Sequence, residues 1–275
     1  MVVFKYKIKL KNILFFVVMV IHFSATGQKN DFPYKFNKSD YYILPAAVAF
    51  ELSSKLIYND EAISKQTIAG LNRTAINGFD IGATYNWDIG IDKTSDILTA
   101  AALAAPLMLA IPLIHNNNNR GLLVYSVMYS EAIMLTVATA SLTKSLSNRY
   151  RPYLYNTNLS VDDRHELAYD GDYNNSFFSR HTALAFCSAT FLSKTFTDIY
   201  GKSALGTTII VSSHLLAGTV GFMRYQSGQH FPTDIIAGAL VGSGIGLLVP
   251  YLHKLANKNI SACILPGYAT ITIRL

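Results

Sequence analysis

Long apolar runs separated by short polar clusters organise this chain. Ile97 to Ile114 is almost entirely Ala, Leu, Ile, Met and Pro, and four further runs follow: Gly121 to Thr143, Phe178 to Phe196, Leu205 to Met223 and Ile235 to Leu252. Each approaches the roughly 20 apolar residues that carry a helix across a bilayer. Short loops join the first pair and the last pair, which makes those neighbours antiparallel. The pattern predicts an all-α fold, a multi-span membrane helical bundle over residues 95–253 with about five or six transmembrane helices. Glu131, inside the second run, must face the bundle interior or be paired.

The flanks read differently. Residues 1–27 open with Lys5, Lys7, Lys9 and Lys11, continue through the apolar stretch Ile13 to Phe23 and end in Ser24-Ala25-Thr26-Gly27. This is the pattern of a secretory signal peptide cut after Gly27, or of an uncleaved first membrane helix. Residues 28–94 lack a comparable apolar run and predict amphipathic helices on the membrane surface or against the bundle. The tail, residues 254–275, alternates like a strand from Ala269 to Leu275, with nothing obvious for it to pair with.

Composition narrows the picture. Half the residues (51%) are hydrophobic, only 15% are charged and the mean hydropathy is +0.26, far more apolar than a soluble domain of 275 residues. The formal charge of +6 is spread along the chain without a basic block interleaved with aromatics, which excludes nucleic acid as the partner and suits helix flanks plus an anion site. Cys187 and Cys263 are far apart and have no metal or redox spacing, so both read as buried thiols.

Counting turns from an outside N-terminus puts Arg120, Lys202, Lys254 and Lys258 on the inside, as membrane orientation favours. The same count gathers three polar clusters on the outer face. In the first, Lys144 and Arg151 stand seven residues apart, two helical turns, and share a direction from which Arg149 is turned away; Pro152 ends the element. In the second, Ser179 is an N-cap whose helix start makes an anion site under His181. In the third, Arg224 leads into His230, and Pro232 opens a helix at about Phe231. Asp234 lies four residues beyond His230, where its carboxylate could orient one imidazole nitrogen and leave the other free as a nucleophile. Three cations, helix N–H groups, two histidines and one carboxylate match the needs of a phosphoryl group in transfer, without a metal.

The pattern Lys144 to Arg151-Pro152, then Ser179-Arg180-His181, then Arg224 to His230 to Asp234 resembles the type 2 phosphatidic acid phosphatase superfamily, which includes lipid phosphate phosphatases, class A acid phosphatases and vanadium haloperoxidases. The resemblance covers about residues 95–253. It implies a phosphohistidine intermediate on His230, Asp234 as its orienting partner, His181 as general acid, and phosphate binding by Lys144, Arg151, Ser179, Arg224 and the backbone N–H of Arg180. No metal or other cofactor is implied. The expected substrate is a phosphorylated lipid, among phosphatidic acid, phosphatidylglycerol phosphate, undecaprenyl diphosphate and lipid A phosphates, at the outer surface of a bacterial inner membrane. A secreted acid phosphatase and a non-catalytic member that binds phosphorylated lipids are the alternatives. Phe178, Arg180 and Met223 depart from the family pattern, which places Pro, Gly and Ser there.

Overall fold

One helix, Arg180–Tyr200, forms the axis around which the others pack in the computed structural model, which describes residues 32–36, 40–57, 62–169, 172–256, 260–265 and 268–273. The signal-peptide expectation for residues 1–27 lies outside these residues. In chain order the helices are α1 (Asp40–Ile57), α2 (Lys65–Gly70), α3 (Ile89–Ala104), α4 (Ala110–His115), α5 (Asn119–Ser147), α6 (Val161–Ala168), α7 (Arg180–Tyr200), α8 (Ala204–Gln226) and α9 (Pro232–Ala256). A tight turn of 3-10 helix at Ala105–Leu109, carrying Pro106, joins α3 to α4 so that the two run on as one element.

Among the described residues, four stretches are long and apolar enough to cross a membrane: Ile89–His115, Asn119–Tyr155, Ala204–Gln226 and Pro232–Leu255. The fifth predicted span, α7, is less apolar because α3, α5, α8 and α9 surround it, so that Thr182, Ser188 and Thr195 are buried against protein instead of meeting lipid. The outer helices instead expose large side chains such as Leu205, Leu215, Phe222, Leu240 and Leu247. Apolar surface of that extent, on helices of this length, is a lipid-facing surface.

Glycine sets the closest packing. Cβ atoms at Gly238, Gly242 and Gly246 would meet the carbonyl oxygens of Ser179, Ala183 and Cys187 at 2.6, 2.0 and 2.4 Å. Spaced four apart, these glycines form one stripe of α9 laid on the backbone of α7, the small-residue contact that lets membrane helices approach closely. The stripe brings the N-terminus of α9 beside that of α7.

The end at which α7 and α9 begin carries a cap of short elements. Ile68 of α2, Tyr153 and Leu154 of a 3-10 turn, Ala168 of α6 and Tyr173 form its small core, and Tyr153 N–H donates to Gly228 O at 3.0 Å. Gly228 holds a positive φ of 70°, and a Cβ there would meet Asn86 O at 2.2 Å, so the turn between α8 and α9 needs glycine on both counts.

Two expectations are corrected. Helix α5 stops at Ser147, where Asn148 turns left-handed (φ 45°), so Arg151 is on the following loop and does not share a helix face with Lys144. In the tail, Tyr268–Ile273 (β2) has a partner after all. It pairs antiparallel with Ile260–Leu265 (β1), from Ile260 opposite Ile273 to Leu265 opposite Tyr268. The earlier segment was missed because its alternation is weaker.

Candidate active site

His230 sits in the turn just before α9 and is 1% exposed. Its Nδ1 lies 2.7 Å from Ser176 O. A carbonyl only accepts, so Nδ1 carries the proton and Nε2 presents its lone pair. Burial, then the charges of Arg151, Lys144 and Arg224, push the imidazole well below its ordinary value of 6.5, which keeps it neutral. No hydrogen bond reaches Nε2 among the described residues.

Asp234 is not the direct partner expected for that ring. Its Oδ2 stands 3.7 Å from Nδ1, beyond hydrogen-bond reach, because other donors have taken it: Ser176 Oγ at 2.6 Å and Phe231 N–H at 2.9 Å on Oδ2, and Arg149 on Oδ1. Asp234 therefore fixes the loop bearing Ser176, whose carbonyl orients His230. Arg149, left without a role by its angle on an idealised helix, reaches this network from the loop. It bridges Asp234 to Asp80 at 2.7 Å and to Thr233 at 2.8 Å, with its guanidinium 4.1 Å over the Phe231 ring. Thr233 N–H and Oγ1 also donate to Asp80, at 3.0 and 2.7 Å. Burial would raise the Asp80 carboxyl, but the donors from Thr233, Arg149 and Asn77 outweigh it and hold it below its ordinary range.

The predicted cations converge on the same end. Lys144, Arg151 and Arg224 are each under 10% exposed. Arg151 donates through Nε to Asp172 O at 2.7 Å, and its two terminal nitrogens bind the Gln229 side chain and the Asp172 carboxylate. Arg224 forks onto Asp92 and Asp96 of α3, and Asp96 also meets His181 Nε2 at 3.0 Å. Burial favours the neutral acid at Asp172, yet Arg151, Lys144 and Arg180 hold its carboxyl below its ordinary value. Ser179 caps α7 as expected, its Oγ accepting from Thr182 N at 3.4 Å and from the Thr182 hydroxyl at 2.9 Å, and Ser179 N–H donates to Asp234 O at 3.1 Å.

Polar atoms of this end without partners among the described residues include His230 Nε2, Lys144 Nζ, the buried Arg224 Nε and, on the cavity wall by Lys144, Glu51 Oε2. Two are donors, one is a nucleophile and one is a carboxylate oxygen. Beside Lys144 opens a cavity of about 220 Å³ whose wall includes Arg180, Asp172 and Asn175 on one side and Glu51, Ser54 and Lys55 of α1 on the other.

Sequence reasoning missed Asp92, Asp96, Asp172, Gln229, Ser176 and Asp80. Gln229 and Ser176 adjoin named motifs and were within reach of it. Asp92 and Asp96, four apart at the start of an apolar helix, were an available signal, since paired carboxylates there ask for a cation. Asp80 and Asp172 carried none, because their loops fold back from sites distant in sequence.

A buried set of cations, with two histidines beside it, gathers at one end of a membrane helical bundle. The PAP2 superfamily model matches residues 121–258, half of the chain, and the chain belongs to that superfamily. It is 32% identical over 130 residues to the bacitracin transport permease protein BcrC of Bacillus licheniformis, an alignment that takes in 47% of this chain and 55% of the relative. The chain thus matches only about half the length of that relative. No solved structure matches.

Proposed function

We propose that this chain is a membrane phosphatase that removes a phosphoryl group from a lipid phosphomonoester or diphosphate through a phosphohistidine on His230. The observation that carries the reading is His230 itself, locked as the Nδ1–H tautomer by Ser176 O at 2.7 Å, with its Nε2 lone pair free among Lys144, Arg151 and Arg224.

In the first step Nε2 attacks phosphorus, the bond from phosphorus to the lipid oxygen breaks, and His181 gives that oxygen its proton. In the second, water attacks the phosphohistidine, His181 takes the water proton, the P–N bond breaks and inorganic phosphate leaves. Lys144, Arg151, Arg224, Ser179 and the start of α7 at Arg180 stabilise the charge on the phosphoryl oxygens. An anion entering this site exchanges with the carboxylates of Asp92, Asp96 and Asp172 for the arginines. Asp234 acts through the Ser176 loop. The site faces the outside of the inner membrane in this reading, and the cavity beside Lys144 receives the head group.

The test is phosphate release by the purified full chain in detergent, with phosphatidic acid and a polyprenyl diphosphate as separate substrates. His230→Ala should lower release by about a thousandfold or more, to background. Acid quenching with a labelled substrate should trap phosphate on the wild type and none on the variant. Equal release by both proteins would reject the enzyme and leave a phospholipid-binding member of the superfamily.

A further inference from the structure

At the other end of the bundle, Asp40 of α1, Glu131 of α5 and His253 of α9 bring one ligand atom each to within 4.8 Å of one another. We infer that these three residues form a divalent-cation site, of the zinc class, which ties α1 to the bundle roughly 30 Å along α9 from His230.

The ring of His253 is oriented as in a metal ligand. Nδ1 meets Lys35 O at 2.9 Å, so Nδ1 carries the proton, and Nε2 faces Glu131 Oε2 at 2.9 Å and Asp40 Oδ1 at 3.5 Å. Donation of one ring nitrogen to a backbone carbonyl is the usual support for a histidine that binds a metal through the other. With ligand bonds of ~2.1 Å, donor atoms around zinc stand ~3.0–3.4 Å apart. The two separations observed bracket that range.

Glu131 supplies the independent reason. It is fully buried, and its Oε1 has no partner among the described residues. A protonated His253 would satisfy Oε2 alone and leave the second oxygen desolvated, which costs free energy. A cation bound between the carboxylates and Nε2 uses the charge on both oxygens. Nitrogen with two carboxylate oxygens suits zinc or a neighbouring divalent ion better than a hard ion served by oxygen alone.

The geometry also gives the site a consequence. Ser145 Oγ of α5 donates to Ser54 O of α1 at 2.9 Å, so α1 and α5 run side by side from the cation site to the wall of the cavity at Lys144. A ligand at Asp40 would hold the helix that supplies Glu51, Ser54 and Lys55 to that wall.

The experiment uses the full chain in detergent, stripped with a chelator and reloaded with Zn²⁺ or Co²⁺. Metal analysis should find about one Zn²⁺ per chain after removal of free ion, Co²⁺ should give visible absorption bands of a nitrogen–oxygen site, and Zn²⁺ should raise Tm. Glu131→Gln and His253→Ala should each weaken uptake about tenfold or more. Wild-type protein that retains no Zn²⁺, gives no Co²⁺ bands and shows no change in Tm would overturn the inference without any variant, leaving a His253–Glu131 ion pair. Uptake undiminished in a folded Glu131→Gln protein would overturn it too. Neither result depends on phosphatase activity, so failure here is separate from failure of the phosphatase reading.

Discussion

The two ends of the bundle bury polar groups of opposite need. At the His230 end, the atoms left over are a lysine ammonium, an arginine Nε and an imidazole lone pair amid cations, with one oxygen of Glu51 on the cavity wall. At the far end, the atom left over is Glu131 Oε1, while Oε2 of the same carboxylate meets His253 Nε2. Buried groups cost free energy when unpaired, and the sign of what remains indicates the sign of what would satisfy it. On the readings proposed above one end takes an anion and the other a cation, although a count of charged residues alone would call both ion-pair clusters. The arginines of the His230 end already hold carboxylates, so the difference is visible only atom by atom.

The largest expected effect comes from separating the ends through the helix they share. Gly242→Val would drive a side chain into Ala183 O, where even a Cβ stands at 2.0 Å, and push α9 off α7. Misplacement of His230 by ~1 Å relative to the start of α7 should cost about a hundredfold in kcat, and Tm should fall with it, since overpacking costs about 1–3 kcal/mol. Zn²⁺ uptake should weaken with it, because the helix that moves also carries His253, while Asp40 and Glu131 stay on α1 and α5. Phosphate release and metal analysis on one preparation read both. If kcat were unchanged, the glycine stripe would not set the site.

A second prediction uses the crowding of cations around His230. Its ring must be neutral to attack, and burial with Arg151, Lys144 and Arg224 holds its pKa well below 6.5. Activity in kcat/KM should therefore persist as pH falls through 6.5 and fail only when His230 protonates below it. Lys144→Met removes one of those charges, so protonation becomes easier and the acid limb should move to higher pH, beside a loss of about tenfold to a hundredfold in kcat/KM. A limb that stayed in place in a folded variant would mean that another group sets it. The corresponding change at the far end, Glu131→Gln, should leave the limb where it is.

Much of the His230 end was legible in sequence, and for a physical reason. Lys144, Ser179, His181, Arg224 and His230 each sit within a turn of a helix terminus, so the apolar runs that define the helices also fix which end each residue occupies. Arg151 was placed at the right end by a wrong route, since Asn148 ends α5 before it. The carboxylates were not legible in the same way. Asp234 was assigned to the ring from its spacing alone, whereas Ser176, Phe231 and Arg149 compete for it and the Ser176 carbonyl takes its place beside the ring. Spacing shows what a side chain can reach, and not which of several donors wins. Glu131 was rightly expected inside or paired, but its partner His253 lies 122 residues away and no local pattern joins them.

The smallest effect should come from Arg180, where the chain departs from the glycine of its family pattern. Its side chain lines the cavity beside Lys144 opposite α1, while its backbone opens α7 over Ser179. Arg180→Gly keeps that N–H and adds backbone freedom, but it removes a cation from the path of a phosphorylated head group. KM for a lipid phosphate should rise a few-fold, more at low ionic strength than at high, with kcat nearly unchanged. A fall in kcat at constant KM would instead assign Arg180 to the transition state, and no change in either parameter would remove it from the anion-binding end altogether.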